Sequence, residues 1–411
     1  MPSPAPSTAR PWTNWAGNQS FTPARFAAPA SADEVAELVA EAAAAGMGVR
    51  VAGAGHSFTP VVQTGGLLLD LSKLGGVIGA DAGRLRVVAR AGTPIRGFYE
   101  PLWEHGLALR NQGAIDEQHI AGAIATGTHG SGISNQSVSG VVRAVTLVGP
   151  DGSLRRIDGR DPRLLRAAQV SVGMLGVMTE VELEVAPAYR LREHVDVCAW
   201  EEVVGRWDEL VHEHRHCNVF WMPTDASASL YGLDTPIATR DRCQVKTYDE
   251  VSRDTPASRT PGRRVDRCYR IYPGSFEPNF HELEYFVGLG RALEAIAAMR
   301  ELMLASLPDS RYPLGIRTVG ADDAHLSPSH GTDTVALSIS GAPGTDYWDY
   351  LRAVDALLAQ FHARVHWGKL HFLTRERLHE LYPEADEFIA VRRELDPDGR
   401  FLNDHLRPLF Q

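Results

Sequence analysis

The spacing of apolar residues divides this chain into stretches of helical and of strand period. Val35, Leu38, Val39 and Ala42 form one stripe at the helical period, with Ser31 and Glu34 as a capping box and Gly46 at the far end. That pattern predicts a helix over 31–46. A strand over 49–52 follows at once and runs into Gly53, Gly55 and His56-Ser57-Phe58. Strands are predicted over 67–71, 85–89, 141–148 and 177–185, with Asp151-Gly152 as a turn. Ile95, Phe98, Tyr99, Leu102 and Trp103 repeat as a helix face that Gly106 ends. Residues up to about 187 therefore read as an α+β unit. Beyond Pro187 the pattern predicts strands over 216–222 and 334–339 and helices over 292–307, 350–361 and 374–395, the last stopped by Asp396-Pro397. Residues 234–267 are polar and read as a long excursion or lid, or as disorder.

Length adds a domain count. At 411 residues two domains are expected, one over 1–187 and a second over 188–370, with 371–411 a C-terminal segment. Residues 1–12 are Pro- and Ser-rich with no apolar core, which fits a flexible leader and neither a signal peptide nor an anchor. Composition then removes whole classes. Hydrophobic content of 44% and charged content of 22% are those of a globular protein. A net charge of −10 with no basic stripe argues against nucleic acid, and no apolar run approaches a membrane span. Cys198, Cys217, Cys243 and Cys268 lie far apart with no CxxC, which fits a reducing, cytoplasmic compartment and disfavours a metal site.

The chemistry concentrates in two glycine-rich stretches. VRVAGAGHSF at 49–58 is a strand entering a turn whose N–H groups can approach an anion, with a histidine at the point of contact. AGAIATGTHGSG at 121–132 is a second such run, too polar for core and too glycine-rich for a helix. The plain alternative for each is a surface turn. A Rossmann domain is disfavoured, because GAGHSF leads into Thr59-Pro60 rather than opening a helix.

Together these stretches resemble the FAD-linked oxidase family with the vanillyl-alcohol-oxidase-type flavin domain, and more closely its aldonolactone and alditol oxidase branch. Asn14-Trp15-Ala16-Gly17-Asn18, His366-Trp367-Gly368-Lys369 and Leu395-Asp396-Pro397 extend the likeness over nearly the whole chain. The resemblance implies a two-domain α+β flavoprotein, an FAD domain plus a mixed-sheet substrate domain, with the C-terminal segment returning to the FAD domain. It implies FAD bonded through its 8α-methyl to His56. Val51, Ala52, Gly53, Ala54, Gly55, Ser57, Phe58, Gly122, Thr126, Gly127, Thr128, His129, Val177 and His366 would line that cofactor, and Ala114 stands where polyol oxidases of this kind carry a serine.

The activity so implied is oxidation of a CH–OH group in a sugar-1,4-lactone, alditol or related molecule. O2 would be the acceptor and H2O2 the product, in a monomer or small homo-oligomer. Such chemistry needs positive charge near the flavin and the substrate oxygen. Lys369 and Arg317 are the candidates, against the plain alternatives of a solvated lysine and a surface salt bridge. Ser340 matches a position whose hydroxyl meets substrate.

One mismatch bears on the substrate. Relatives of this kind carry Glu-x-Arg where this chain has Gly315-Ile316-Arg317, so a hydroxyl-binding carboxylate is missing. Glu284, Asp322 and Asp323 are the candidates to replace it, against the plainer reading of each as a solvated acid. A non-sugar alcohol or an amine is the alternative substrate, and a non-oxygen acceptor the alternative partner. Gly113 leans towards oxygen, since a small residue there leaves it a path. His105, His325, His330 and His371 are read as surface or satisfied residues.

Overall fold

Local sequence sets the first elements. Ser31 Oγ accepts the Glu34 N–H and opens the Ala32–Ala44 helix, which buries Val35, Val39 and Ala42. Gly46, at φ +68°, turns the chain after it. The structure is a computed structural model that describes residues 10–233, 235, 238–274, 280–305 and 312–411. Residues 1–9 of the expected leader lie outside the described residues, whereas Trp12–Thr13 pairs with Ser20–Phe21.

The fold is two-domain α+β. In the first part, Val49–Ala52 and Arg25–Ala27 flank Leu67–Asp70 in a parallel three-stranded sheet. An antiparallel sheet follows, in the order Leu154–Asp158, Val142–Val148, Val177–Pro187, Arg86–Arg90, Val77–Asp81, with Leu107–Leu109 also on Val177–Pro187. The turn after Val49–Ala52 enters a 3₁₀ turn at Pro60–Val62 and no long helix, as the motif predicts. The second part is an eight-stranded sheet in the order Val265–Arg267, Arg190–Ala199, Arg242–Val251, His216–Met222, Leu314–Val319, Thr334–Gly341, His281–Gly288, Arg364–Val365. Helices Ala292–Ala305 and Trp348–Ala359 pack on it.

Three expectations are corrected. The stretch 121–132 is not a polar surface run. Ile120–Thr126 is a helix, Gly127 stops it at φ +78°, and Thr126 to Gly132 are buried. Small residues there let buried backbone pack closely, which outweighs weak helix propensity. The polar stretch 234–267 is no lid either. Arg242–Val251 is a central strand, because Gln244 and Thr247 are polar yet buried between neighbouring strands; Asp234, at its start, lies outside the described residues. The helix over 374–395 is two, Arg375–Leu381 and Ala385–Leu395, broken at Pro383. The cysteines are free and buried, and Cys198 and Cys243, far apart in the sequence, are partners across two paired strands. The helix expected over 292–307 runs Ala292–Ala305, its last two positions lying outside the described residues.

The C-terminal stretch reaches back to the first sheet. Val49 N–H bonds the Arg400 carbonyl, and Arg50 donates to the carbonyls of Val61, Val172, Gly173 and Phe401. Among the described residues no helix is long and apolar enough to cross a membrane.

Candidate active site

The Val49–Ala52 strand delivers the glycine turn to the boundary between the two parts. Gly55 has φ +75°, and a Cβ on it would meet Trp15 N at 3.2 Å, so only glycine fits without strain. The Asn14–Gln19 segment clamps the turn from outside. Trp15 N–H bonds the Gly55 carbonyl (2.9 Å), Asn14 Nδ2 the Ser57 carbonyl (2.9 Å) and Asn18 Nδ2 the Phe58 carbonyl (2.8 Å). From the other side Phe58 N–H bonds the Gly368 carbonyl at 2.7 Å, and Thr59 Oγ1 donates to the Trp367 carbonyl at 3.2 Å. The three motifs, far apart in sequence, thus form one hydrogen-bonded unit.

Two cavities open on this unit. The first has about 1000 Å³ of empty space, open solvent included, and is walled by Val51 to Ser57, Gly122, Thr126, Gly173 and Gly176. Nothing lies within 4 Å of a Cβ built on Gly122, so that wall is open space. His56 Nδ1 and His119 Nδ1 are buried on this cavity without a hydrogen-bond partner among the described residues. Glycine backbone, open volume and orphaned ring nitrogens are what a large polar aromatic cofactor would satisfy, and they fit FAD.

The second cavity, about 880 Å³ on the same measure, shares His56, Ser57, Gln118 and Thr126 with the first. Its floor is the large sheet, read in steps of two along each strand. Glu282 and Glu284 lie opposite Ser340 and Ser338, and Gly315 lies opposite Phe220 and Ser338. Arg317, two residues on from Gly315, shares its face. Trp15, Phe58, Phe220, Tyr231 and Phe280 give an aromatic wall, and Gly113, Ala114, Thr128, His129, His366 and Lys369 close it.

Charge in this cavity is arranged in pairs. Lys369 Nζ bonds a carboxylate oxygen of Glu282 and sits 4.9 Å over the Phe58 ring. Glu284 accepts the Ser338 hydroxyl at 2.5 Å, and its other oxygen is 3.4 Å from His129 Nε2. Burial opposes the charge on Glu284, but His129 outweighs it with help from Lys369 and His366, holding the carboxyl well below its ordinary range. Burial also opposes the charge on Arg317, and neighbouring Tyr272, Glu284 and Glu282 reverse that, so the guanidinium stays charged; its Nε has no partner among the described residues. Burial, with Lys369, pushes His56 down to about 4, leaving it neutral at physiological pH. Burial pushes His366 down to about 3. Its Nδ1 accepts the Gly368 N–H, so the neutral ring carries its hydrogen on Nε2.

The expected residues distribute as follows. Val51, Ala52, Gly53, Ala54, Gly55, Gly122 and Thr126 line the first cavity, His56 and Ser57 line both, and Phe58, Ala114, Thr128, His129, His366, Arg317 and Lys369 line the second. Val177 and Gly127 line neither: Val177 is core, and Gly127 ends a helix. Ser340 also stands back from both cavities, its Oγ bonded to the Tyr231 hydroxyl at 2.6 Å. Glu284 is not a solvated acid but a buried cavity group; Asp322 is buried too, bonded to Ser327 inside its own loop. His325 is neither a surface nor a satisfied residue, since both its ring nitrogens are buried and have no hydrogen-bond partner among the described residues, and neither does the Nε2 of His371.

Sequence reading missed Ser338, Tyr231 and the roles of Glu282 and the aromatic wall. The signal was the two-residue spacing of Glu282/Glu284 and Ser338/Ser340, which puts each pair on one strand face.

An FAD binding domain family matches residues 23–158, and the D-arabinono-1,4-lactone oxidase family matches residues 181–248 and 239–409. An L-gulono-1,4-lactone dehydrogenase of Mycobacterium tuberculosis is 31% identical, covering 96% of this chain and 98% of the relative. An alditol oxidase of a Streptomyces species is 31% identical over 97% of this chain and 98% of the relative. The L-gulonolactone oxidase of Mus musculus is 27% identical over 97% of each. Among solved structures, cholesterol oxidase from B. sterolicum superposes with a TM-score of 0.85 at 16% identity, covering 98% of this chain and 97% of that one, a likeness of fold.

Proposed function

This chain belongs to the D-arabinono-1,4-lactone oxidase family and is an FAD-dependent oxidoreductase acting on CH–OH donors; from that premise we propose that it oxidises a CH–OH group of a sugar-1,4-lactone, an alditol or a related polyhydroxylated compound, with O2 as acceptor. The observation that carries this reading is the junction of the two cavities at His56, Ser57, Gln118 and Thr126, with Arg317 and Lys369 in the second. FAD, when bound by the residues of the first cavity, would supply the hydride acceptor.

The chain's own residues do the rest. The Gly53–Ser57 backbone and Gly122 hold the cofactor. His56, neutral and with no partner for its Nδ1 among the described residues, is the proposed tether to the flavin 8α-methyl. Arg317 donates to the substrate oxygen, whose negative charge grows as the hydride leaves. Lys369, braced by Glu282 and by the Phe58 ring, adds a second positive charge at the same end of the cavity. Tyr231, held by Ser340, orients the substrate from the wall. Gly113 lines the second cavity, where a Cβ would crowd Thr128 Cγ2 at 3.1 Å, and a small residue there is what the oxygen reading asks for.

The aromatic wall favours a second reading, a hydroxylated substrate with an apolar body. Oxygen consumption tests both readings. Turnover of a lactone or alditol with one H2O2 per product supports the first, and turnover confined to apolar alcohols or amines supports the second. Turnover only with an added dye and no H2O2 means a dehydrogenase.

A further inference from the structure

The oxidised hydroxyl must give up its proton to some group in the second cavity, and most groups there cannot take it. Arg317 and Lys369 are donors only in their charged forms. Glu282 is spent on Lys369, the Ser338 hydroxyl already donates to Glu284, and the accepting nitrogen of His366 is held by the Gly368 N–H. His56, the other neutral ring on this cavity, is taken up by the proposed flavin bond, and what remains is Glu284 with His129. The Nδ1 of His129 lies 2.9 Å from the Gly130 carbonyl, which can only accept, so Nδ1 carries the ring hydrogen. In the neutral ring Nε2 is then a lone pair facing Glu284 Oε2 across 3.4 Å. Two buried acceptors facing each other leave room for one more proton.

We propose that Glu284 is the base for the CH–OH substrate and that His129 is the positioning residue that shares the proton it receives. This rests on the function proposed above. In the step, the C–H hydrogen would leave with both bonding electrons as a hydride to the bound flavin. The O–H proton passes to Glu284 and settles between Oε2 and Nε2 of His129, and the carbon–oxygen bond becomes C=O. Once the proton is taken up, the imidazolium of His129, with help from Lys369 and His366, outweighs the burial of Glu284 and holds it ionised, so the pair keeps the proton. A cation is the rival occupant, since His129, Glu284 and His366 each offer an atom within 4.8 Å of the others. The Gly368 N–H on His366 Nδ1 leaves that ring's other nitrogen protonated, which favours the proton.

Gly315 belongs to the same device. A Cβ there would meet Ser338 Cβ at 3.2 Å and Oγ at 3.4 Å, pressing on the hydroxyl that holds Glu284. The carboxylate expected at position 315 is thus supplied from the His281–Gly288 strand, reached through Ser338.

Glu284→Gln keeps the shape and still accepts from Ser338. In the flavin-loaded protein, anaerobic reduction by the best lactone, alditol or alcohol is expected to slow by about 10²-fold or more. Flavin content, dithionite reduction and the substrate dissociation constant, read from the flavin band, should change little. Formate should restore part of the rate in Glu284→Ala by filling the gap with a carboxylate. A Glu284→Gln protein reduced at the unchanged rate, or no response to formate, overturns the assignment. If Glu284→Gln loses its flavin, Ser338→Ala serves instead: loss of the hydroxyl donor should move the acid limb of the reduction rate to higher pH, and an unmoved limb overturns the proposal. An unsubstituted protein that no hydroxylated compound reduces would count against the proposed function, not against Glu284 alone.

Discussion

At the scale of single residues, the site is built from groups whose sequence neighbours say little about their surroundings. His56 was legible because its motif is contiguous. Its pKa of about 4 follows from burial, against Trp15 among others, and from the charge of Lys369, and its Nδ1 has no partner among the described residues; sequence places neither neighbour beside it. A neutral imidazole with an unused nitrogen is a nucleophile at physiological pH, which the proposed tether requires. His56→Ala is therefore expected to leave flavin bound loosely or not at all. Acid precipitation is the check: yellow pellet from the unchanged protein and colourless pellet from the variant is the expected pair, and colour retained by the variant would remove His56 as the tether. Glu284 shows the opposite case. Composition favours solvated acids, and only the registry of His281–Gly288 with Thr334–Gly341 brings Ser338 to it and buries it.

Among elements, period-2 patterns showed which residues share a strand face but not which strands are neighbours. Glu282/Glu284, Gly315/Arg317 and Ser338 form one floor because three strands from distant parts of the chain lie side by side. The Arg242–Val251 strand was hidden by polar residues whose partners lie across the sheet, and the Ile120–Thr126 helix by its glycines. The glycine turn, in contrast, was plain because its backbone demand is local. Gly55→Ala puts a Cβ at φ +75° and 3.2 Å from Trp15 N. A loss of about 1–3 kcal/mol is expected, read as a lower melting temperature together with weaker flavin retention. An unchanged melt would show that the turn yields without cost.

Over the whole molecule, burial of neutral histidines sets the response to acid. Burial pushes His216 and His371 down to about 3 and His325 and His405 down to about 4, from an ordinary value of 6.5. Above pH 6.5 folded and unfolded chains are alike at these sites. Below it the unfolded chain binds protons that the folded one refuses, so stability falls as pH drops from 6.5 towards 4, by about 1.4 kcal/mol per pH unit for each such group. Denaturant melts at pH 7.5 and pH 5 should show a clear loss at the lower value, and equal midpoints would contradict it. The same assembly makes the catalytic claim, since the two cavities exist only where the glycine turn, the sheet floor and His366–Lys369 meet. Anaerobic mixing of the flavin-loaded protein with aldono-1,4-lactones, alditols and bulkier alcohols, followed at the flavin's visible band, tests that claim most directly. The account predicts rapid bleaching by at least one of them and a rate lower by about 10²–10³-fold in Lys369→Ala. A band that stays yellow against the whole panel while dithionite still bleaches it, or a Lys369→Ala protein that bleaches as fast as the unchanged one, would contradict it.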